Sequence, residues 1–194
     1  MKVLGNVNKG LLFVISAPAG TGKTTLVRML QQEFSCVVES VSYTTRPPRP
    51  KEQAGVDYYF VSEPEFMQKL KEGEFIEHAK VFDHYYGTSK SFVQAEQALG
   101  KHVLLVIDTQ GAMELKKHCD AIFIFISPPS LEELRSRLYG RKTETDQAME
   151  QRLSWAQKEI ALAPLYNYHI INEHLQTAYG VLRSILIAEE HKNR

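Results

Sequence analysis

Only two cysteines occur in 194 residues, Cys36 and Cys119, far apart and in neither a C-x-x-C nor a metal-ligand spacing. That excludes a disulfide framework and a thiolate metal centre and leaves both as packing residues. The formal net charge is zero, so no whole-molecule field favours nucleic acid or a membrane surface, and any basic site has to be local. Long apolar runs are missing too: Ala121 to Ile126 is strand-sized, far short of the roughly 20 residues of a bilayer span. Met1 to Gly10 carries two lysines and leads into a glycine loop rather than a small-residue cleavage site, the pattern expected of a cytoplasmic chain. Internal repeats and low-complexity segments are absent. What is there, 43% hydrophobic and 24% charged residues, is ordinary globular composition with enough length to bury the core of one domain.

Leu11 to Ile15 is a continuous apolar run, as suits a strand buried on both faces of a parallel sheet, and Val103 to Ile107, Ala121 to Ile126 and Tyr168 to Ile171 share its character. Helical patterns intervene. Lys23 to Phe34 places Leu26, Met29 and Leu30 on one face, and Leu175, Tyr179, Leu182 and Leu186 repeat at helical spacing. The alternation predicts an α/β fold with a doubly wound parallel sheet. It is interrupted between about 36 and 96 by short β-like pieces, Ser40 to Tyr43, Asp57 to Ser62 and Glu74 to Phe82, around a helix opened by Ser62 and Pro64. A charged helical insertion, about 130–164, follows Pro128-Pro129. The expected core is therefore about 1–35, 97–129 and 165–194, with a small inserted β-rich lobe and a helical insertion, all in one domain.

Ala17-Pro18-Ala19-Gly20-Thr21-Gly22-Lys23-Thr24 matches G-x-x-x-x-G-K-[ST] except for its first residue, between an apolar strand and an amphipathic helix. Such a loop wraps a polyphosphate in backbone N–H groups, aims a helix N-terminus at it and adds the ammonium of Lys23. Ala17 to Thr25 is thus the candidate ATP site, and Thr24 the candidate hydroxyl ligand of Mg²⁺. Ala17 costs little provided its φ is negative. Asp108-Thr109-Gln110-Gly111 mimics the D-x-x-G of a GTPase switch, but no N-K-x-D motif follows. The second substrate is to be sought in the inserted lobe.

There, Ser42-Tyr43-Thr44-Thr45-Arg46-Pro47-Pro48-Arg49 sets two guanidinium groups on a proline-stiffened loop, an apt clamp for a second phosphate. Gly55 to Phe60, Glu74 to Ala79 and Tyr85-Tyr86-Gly87-Thr88 add phenols, a carboxylate and a hydroxyl. Taken together, T-T-R-x-x-R, G-x-D-Y-x-F, E-F-I-E, Y-Y-G-[ST], I-D-x-Q-G and R-L-x-x-R-x-T-E-T resemble the guanylate kinase family, in its order and over nearly the whole chain.

The resemblance implies an α/β core for ATP, a lobe for GMP or dGMP, and a helical lid at about 130–164, with Mg²⁺ as the cofactor and no obligatory protein partner. It implies that Arg46, Arg49, Tyr58 and Tyr86 hold the GMP phosphate and that Ser42, Glu77, Gly87 and Thr88 surround the guanine, with Asp108 at the edge of the pocket. Guanine presents N1–H and an amine side by side, two donors that one carboxylate accepts together, whereas adenine turns a lone pair toward it. The resemblance further implies that Lys23, Arg46 and the lid arginines Arg137, Arg141 and Arg152 act in catalysis, and that Asn172 meets the adenine edge. One departure stands out. Where the family commonly has an acid two residues before the aspartate of I-D-x-Q-G, this chain has Val106.

Read from composition alone, the arginines of the helical insertion are a solvated helix face among Glu132, Glu133 and Glu144. Two other functions share parts of the pattern. A non-catalytic guanylate-kinase-like module typically lacks the phosphate loop that this chain retains, and a kinase for a ribose bisphosphate would have no use for a base-reading Glu77 with Ser42 and Thr88.

Overall fold

The structure, a computed structural model, describes residues 3–81, 83–139 and 146–193. Five parallel strands form the central sheet: β1 (Leu12–Ser16), β2 (Val37–Glu39), β7 (His102–Val106), β8 (Ile122–Ser127) and β9 (Tyr168–Ile171), in the spatial order β2-β7-β1-β8-β9. Successive residues on each strand serve opposite faces. Phe13, Ile15, Leu104, Ile122, Ile124 and Ile126 meet Leu26, Val27 and Leu30 of α1 (Lys23–Glu33) and Ala178, Leu182, Ile185 and Leu186 of α7 (Leu175–Glu190). Leu12, Val14, Val103, Leu105, Phe123 and Phe125 meet Val93 of α3 (Lys90–Ala98) and Ala112 and Leu115 of α4 (Thr109–Lys116). Helices on both faces make the sheet doubly wound, as its apolar runs predict.

One strand of this sheet was not legible as such. Val37–Glu39 pairs with β7 through Val37↔His102 to Glu39↔Leu104, so the chain from residue 37 first completes the core before entering the lobe. The expected strand at Ser40 to Tyr43 is displaced to Tyr43–Thr44, because Ser40 N–H is still bonded to Leu104 O of the core.

The lobe is a four-stranded sheet ordered β4-β3-β6-β5, from β3 (Tyr43–Thr44), β4 (Tyr59–Phe60), β5 (Phe75–Val81) and β6 (His84–Ser89). Helix α2 (Glu63–Lys71) starts where Ser62 caps Glu65 N–H and Pro64 occupies the first turn. Its Phe66 stacks on Phe75 and Tyr85 as the lobe's own small core. The later insertion holds α5 (Leu131–Tyr139) and α6 (Asp146–Ile160), joined by the apolar seam Leu134, Leu138, Met149, Leu153 and Ala156.

Candidate active site

The phosphate loop leaves β1 at the centre of the sheet and ends in the first turn of α1. Gly20 and Gly22 have φ of 88° and 87°, which only glycine adopts without strain. A side chain at Gly22 would also come within 2.7 Å of the Asn172 amide. Ala17, the departure from the motif, is buried and is not among the residues with positive φ, so its methyl group causes no conflict. Thr21 is fully buried and bonds the Pro18 carbonyl at 2.9 Å, closing the loop on itself. Pro18 is buried, Ala19, Thr24 and Thr25 are exposed, and the Thr24 hydroxyl stands in the first turn of α1.

Three carboxylates surround the ammonium of Lys23. Burial pulls its pKa below the ordinary lysine value, against the fields of Glu159, Asp108 and Glu39, in that order. Glu159, in the last turn of α6, is pushed up to about 7 by burial, with Lys23 acting against the rise. Asp108 caps α4 by accepting from Gly111 N–H at 2.7 Å. Its other oxygen is buried without a hydrogen-bond partner. Glu39 follows Val37 on the β2 face turned toward α1, the face that Leu104 and Val106 share on β7. The neighbouring strand thus carries an acid opposite Leu104, two residues before Val106 on the same face. Glu39 and Glu159 belong to no motif, and only the pairing of β2 and the docking of α6 bring them here.

A cavity of about 200 Å³ opens beside Lys23 between the core and the lobe, lined by Ala17, Lys23, Ser42, Tyr58, Glu77, Tyr86, Val106 and Asp108 among others. Glu77 is only 5% exposed and accepts from Thr88 Oγ1 at 2.5 Å across the β5–β6 pair. Burial raises its pKa to about 7, with the Thr88 hydroxyl opposing and Asp108 adding to the rise. Thr88 is therefore the support of Glu77, behind the cavity wall. Gly87 is also buried behind it, where a side chain would meet Phe75 and Phe66 at 3.0 and 3.1 Å.

Arg46 flanks the cavity. Its guanidinium lies 5.3 Å over the ring of Tyr58, whose ring is edge-on to Tyr86 at 5.9 Å. Burial works against its charge, but pairing with Glu52 and the Tyr86 hydroxyl outweighs it and raises its pKa. Arg49 is exposed on the same loop.

The helical insertion reaches the phosphate loop from the other side. Leu138 and Leu134 of α5 approach Gly20 so closely that a side chain there would lie 2.9 Å from Leu138. Arg137 donates to the Asn172 carbonyl at 3.1 Å and to Glu133 at 3.0 Å. Asn172, the residue expected at the adenine edge, is 4% exposed, and its amide donates to the Thr21 carbonyl at 2.7 Å, bracing the loop. Arg152 is half-buried on α6. Arg141 lies outside the described residues.

A phosphate loop after the central strand of a doubly wound parallel sheet, facing an inserted lobe with its own carboxylate and arginines, defines a P-loop kinase with a separate acceptor site. The family profile for guanylate kinase matches residues 9–189. The chain is 56% identical over 188 residues to the guanylate kinase of Protochlamydia amoebophila, covering 97% of this chain and 95% of that one. It is 48% identical over 180 residues to that of Hydrogenovibrio crunogenus, covering 92% and 88%. Among solved structures, the guanylate kinase of Anaplasma phagocytophilum superposes with a TM-score of 0.79 at 37% identity, covering 96% of this chain and 89% of that chain. The chain belongs to the guanylate kinase family.

Proposed function

We propose that the cavity beside Lys23 is the GMP site and that the protein transfers the γ-phosphoryl group of ATP to GMP or dGMP, giving ADP and GDP or dGDP. The observation that carries the specificity is the buried Glu77, held by Thr88 at the wall of the cavity. Ionised, it accepts both guanine N1–H and the exocyclic amine. Ser42 and Asp108 border the same cavity. The lobe of about 36–96, apart from the core strand Val37–Glu39, holds GMP, the core at about 1–35, 97–129 and 165–194 together with that strand holds ATP, and the segment 130–164 acts as a lid.

The nucleophile is an oxygen of the GMP phosphate, already anionic at neutral pH, so no general base is required and the histidines have no part in the chemistry. The bond from γ-phosphorus to the oxygen it shares with the β-phosphate breaks, its electron pair leaving with ADP, as the bond to the GMP oxygen forms. Catalysis is then positioning and charge neutralisation. Arg46, Arg49, Tyr58 and Tyr86 hold the acceptor phosphate. The loop from Ala17 to Thr25 and Lys23 hold the donor, and Arg137, Arg141 and Arg152 of the lid meet the transferring group.

Among the described residues no cluster of three or more His, Cys, Asp or Glu side chains could hold a metal ion unaided. The Thr24 hydroxyl at the helix start and the unpartnered oxygen of Asp108 fit Mg²⁺ that arrives with nucleotide phosphates. Bound there, Mg²⁺ supplies charge neutralisation on the polyphosphate. No helix among the described residues is long and apolar enough to cross a membrane. Release of ADP from ATP with GMP as acceptor, read by a coupled assay against other monophosphates, tests the assignment.

A further inference from the structure

The clamp loop contains an acid that the motifs above leave without a role. Both oxygens of Glu52 accept from Nη2 of Arg46, at 2.8 and 3.0 Å, and one also accepts from the backbone N–H of Arg49 at 2.7 Å. The Glu52 N–H in turn donates to the Arg49 carbonyl at 3.1 Å. Nη1 of Arg46 donates to the Pro47 carbonyl at 2.8 Å, and the guanidinium rests over Tyr58, itself part of the cavity wall. Only 11% of the Arg46 side chain and 17% of Glu52 are exposed. A long, flexible side chain has thereby been fixed before any ligand arrives.

We infer that Glu52 is a positioning residue for the acceptor phosphate, orienting the Arg46 guanidinium toward it. The inference rests on the reading of Arg46 and Arg49 as the phosphate clamp. Two effects of Glu52 oppose each other. Its negative charge repels an incoming phosphate, and its hydrogen bonds remove the entropic cost of ordering Arg46 on binding. Bidentate contact between arginine and phosphate depends on angle and distance as well as charge. The carboxylate is already paired with the Arg46 guanidinium, and exposed Arg49 leaves the clamp net positive, so the field that an incoming phosphate meets is still attractive. Orientation therefore prevails, and loss of Glu52 weakens GMP binding although it makes the loop more positive.

The test is a double-mutant cycle with Glu52→Gln, Arg46→Ala and the pair, measuring KM for GMP and for ATP, GMP binding by calorimetry, and Tm for each protein. The expected result is that Glu52→Gln raises KM and Kd for GMP about fivefold or more with KM for ATP and Tm unchanged, and that it has little further effect in the Arg46→Ala background. A KM for GMP that falls in Glu52→Gln means that the acid competes with phosphate, and overturns the inference. An equal penalty in both backgrounds, meaning that Glu52 acts on the loop without Arg46, overturns it too. The underlying clamp reading fails separately: Arg46→Ala would then leave KM for GMP unchanged. A raised value in Arg46→Ala with an unchanged one in Glu52→Gln sinks the positioning role alone.

Discussion

Thr88 donates its hydroxyl proton to Glu77 at 2.5 Å, on paired positions of β6 and β5, and the carboxylate so held is buried with a pKa of about 7. An unfolded glutamate titrates at 4.5. The folded protein therefore keeps a proton on Glu77 that the unfolded chain has lost between about pH 4.5 and 7, and stability falls across that interval because only the unfolded chain gains by releasing the proton. Glu77→Gln removes this dependence, so the Tm of the mutant should gain on that of the wild type from about pH 5 to about pH 8. A constant difference across that range contradicts the raised pKa.

Guanine binding has the opposite sign. Its two donors favour the ionised carboxylate, so GMP affinity should rise with pH until about 7 and then level off. The substrate phosphate also titrates near about 6, which makes Glu77→Gln the necessary control. The mutant should retain only the phosphate component and should bind GMP more weakly above about pH 7, with the gap narrowing as pH falls. Calorimetric titration of both proteins across the range separates the two components.

Gly111 shows why a D-x-x-G sequence stands here without a GTPase. A side chain at this position would come within 2.5 Å of Oε2 of Glu77 and 3.4 Å of Oδ1 of Asp108. Gly111→Ala should therefore displace the base-reading carboxylate, raising KM for GMP by about tenfold and narrowing the preference over AMP, with KM for ATP little changed. Unchanged acceptor kinetics would mean that Glu77 does not read the base from this position.

Lys23→Met should abolish phosphoryl transfer while the protein stays folded, because the ammonium neutralises phosphate charge and adds little to the core. Circular dichroism together with the ADP-release assay decides this. A folded mutant with substantial turnover would sink the phosphate-loop assignment.

On the proposed reading the arginines of the helical insertion meet the transferring group in a closed state, so their loss should fall on kcat. Arg137→Ala, Arg141→Ala and Arg152→Ala should each lower kcat by at least about tenfold, about 1.4 kcal/mol of barrier, with smaller changes in GMP affinity. Values near the wild type in all three would return the segment to a solvated helical insertion.

The phosphate loop and four of the five core strands could be read from the sequence because each is a contiguous pattern whose meaning depends on its immediate neighbours. Val37–Glu39 could not, being three residues long and recognisable as core only by its pairing with β7. Two of the acids around Lys23 are hidden for the same reason: Glu39 and Glu159 come from segments that carry no motif, whereas Asp108 stands within I-D-x-Q-G. The hydrogen bond from Asn172 to Thr21 was equally invisible, since it spans 151 residues. Glu77 is the converse case, an individually unremarkable residue picked out by a family motif and then found lining the cavity beside Lys23, while Arg46 stacks on the wall residue Tyr58.

The most direct measurement is kcat/KM for GMP and AMP, with ATP as donor, in the wild type and in Glu77→Gln. The account predicts a wild-type preference for GMP that shrinks sharply in the mutant, mainly through a higher KM for GMP, while KM for ATP stays put. Wild-type discrimination retained in a folded Glu77→Gln protein would contradict it and assign the reading of guanine to another residue.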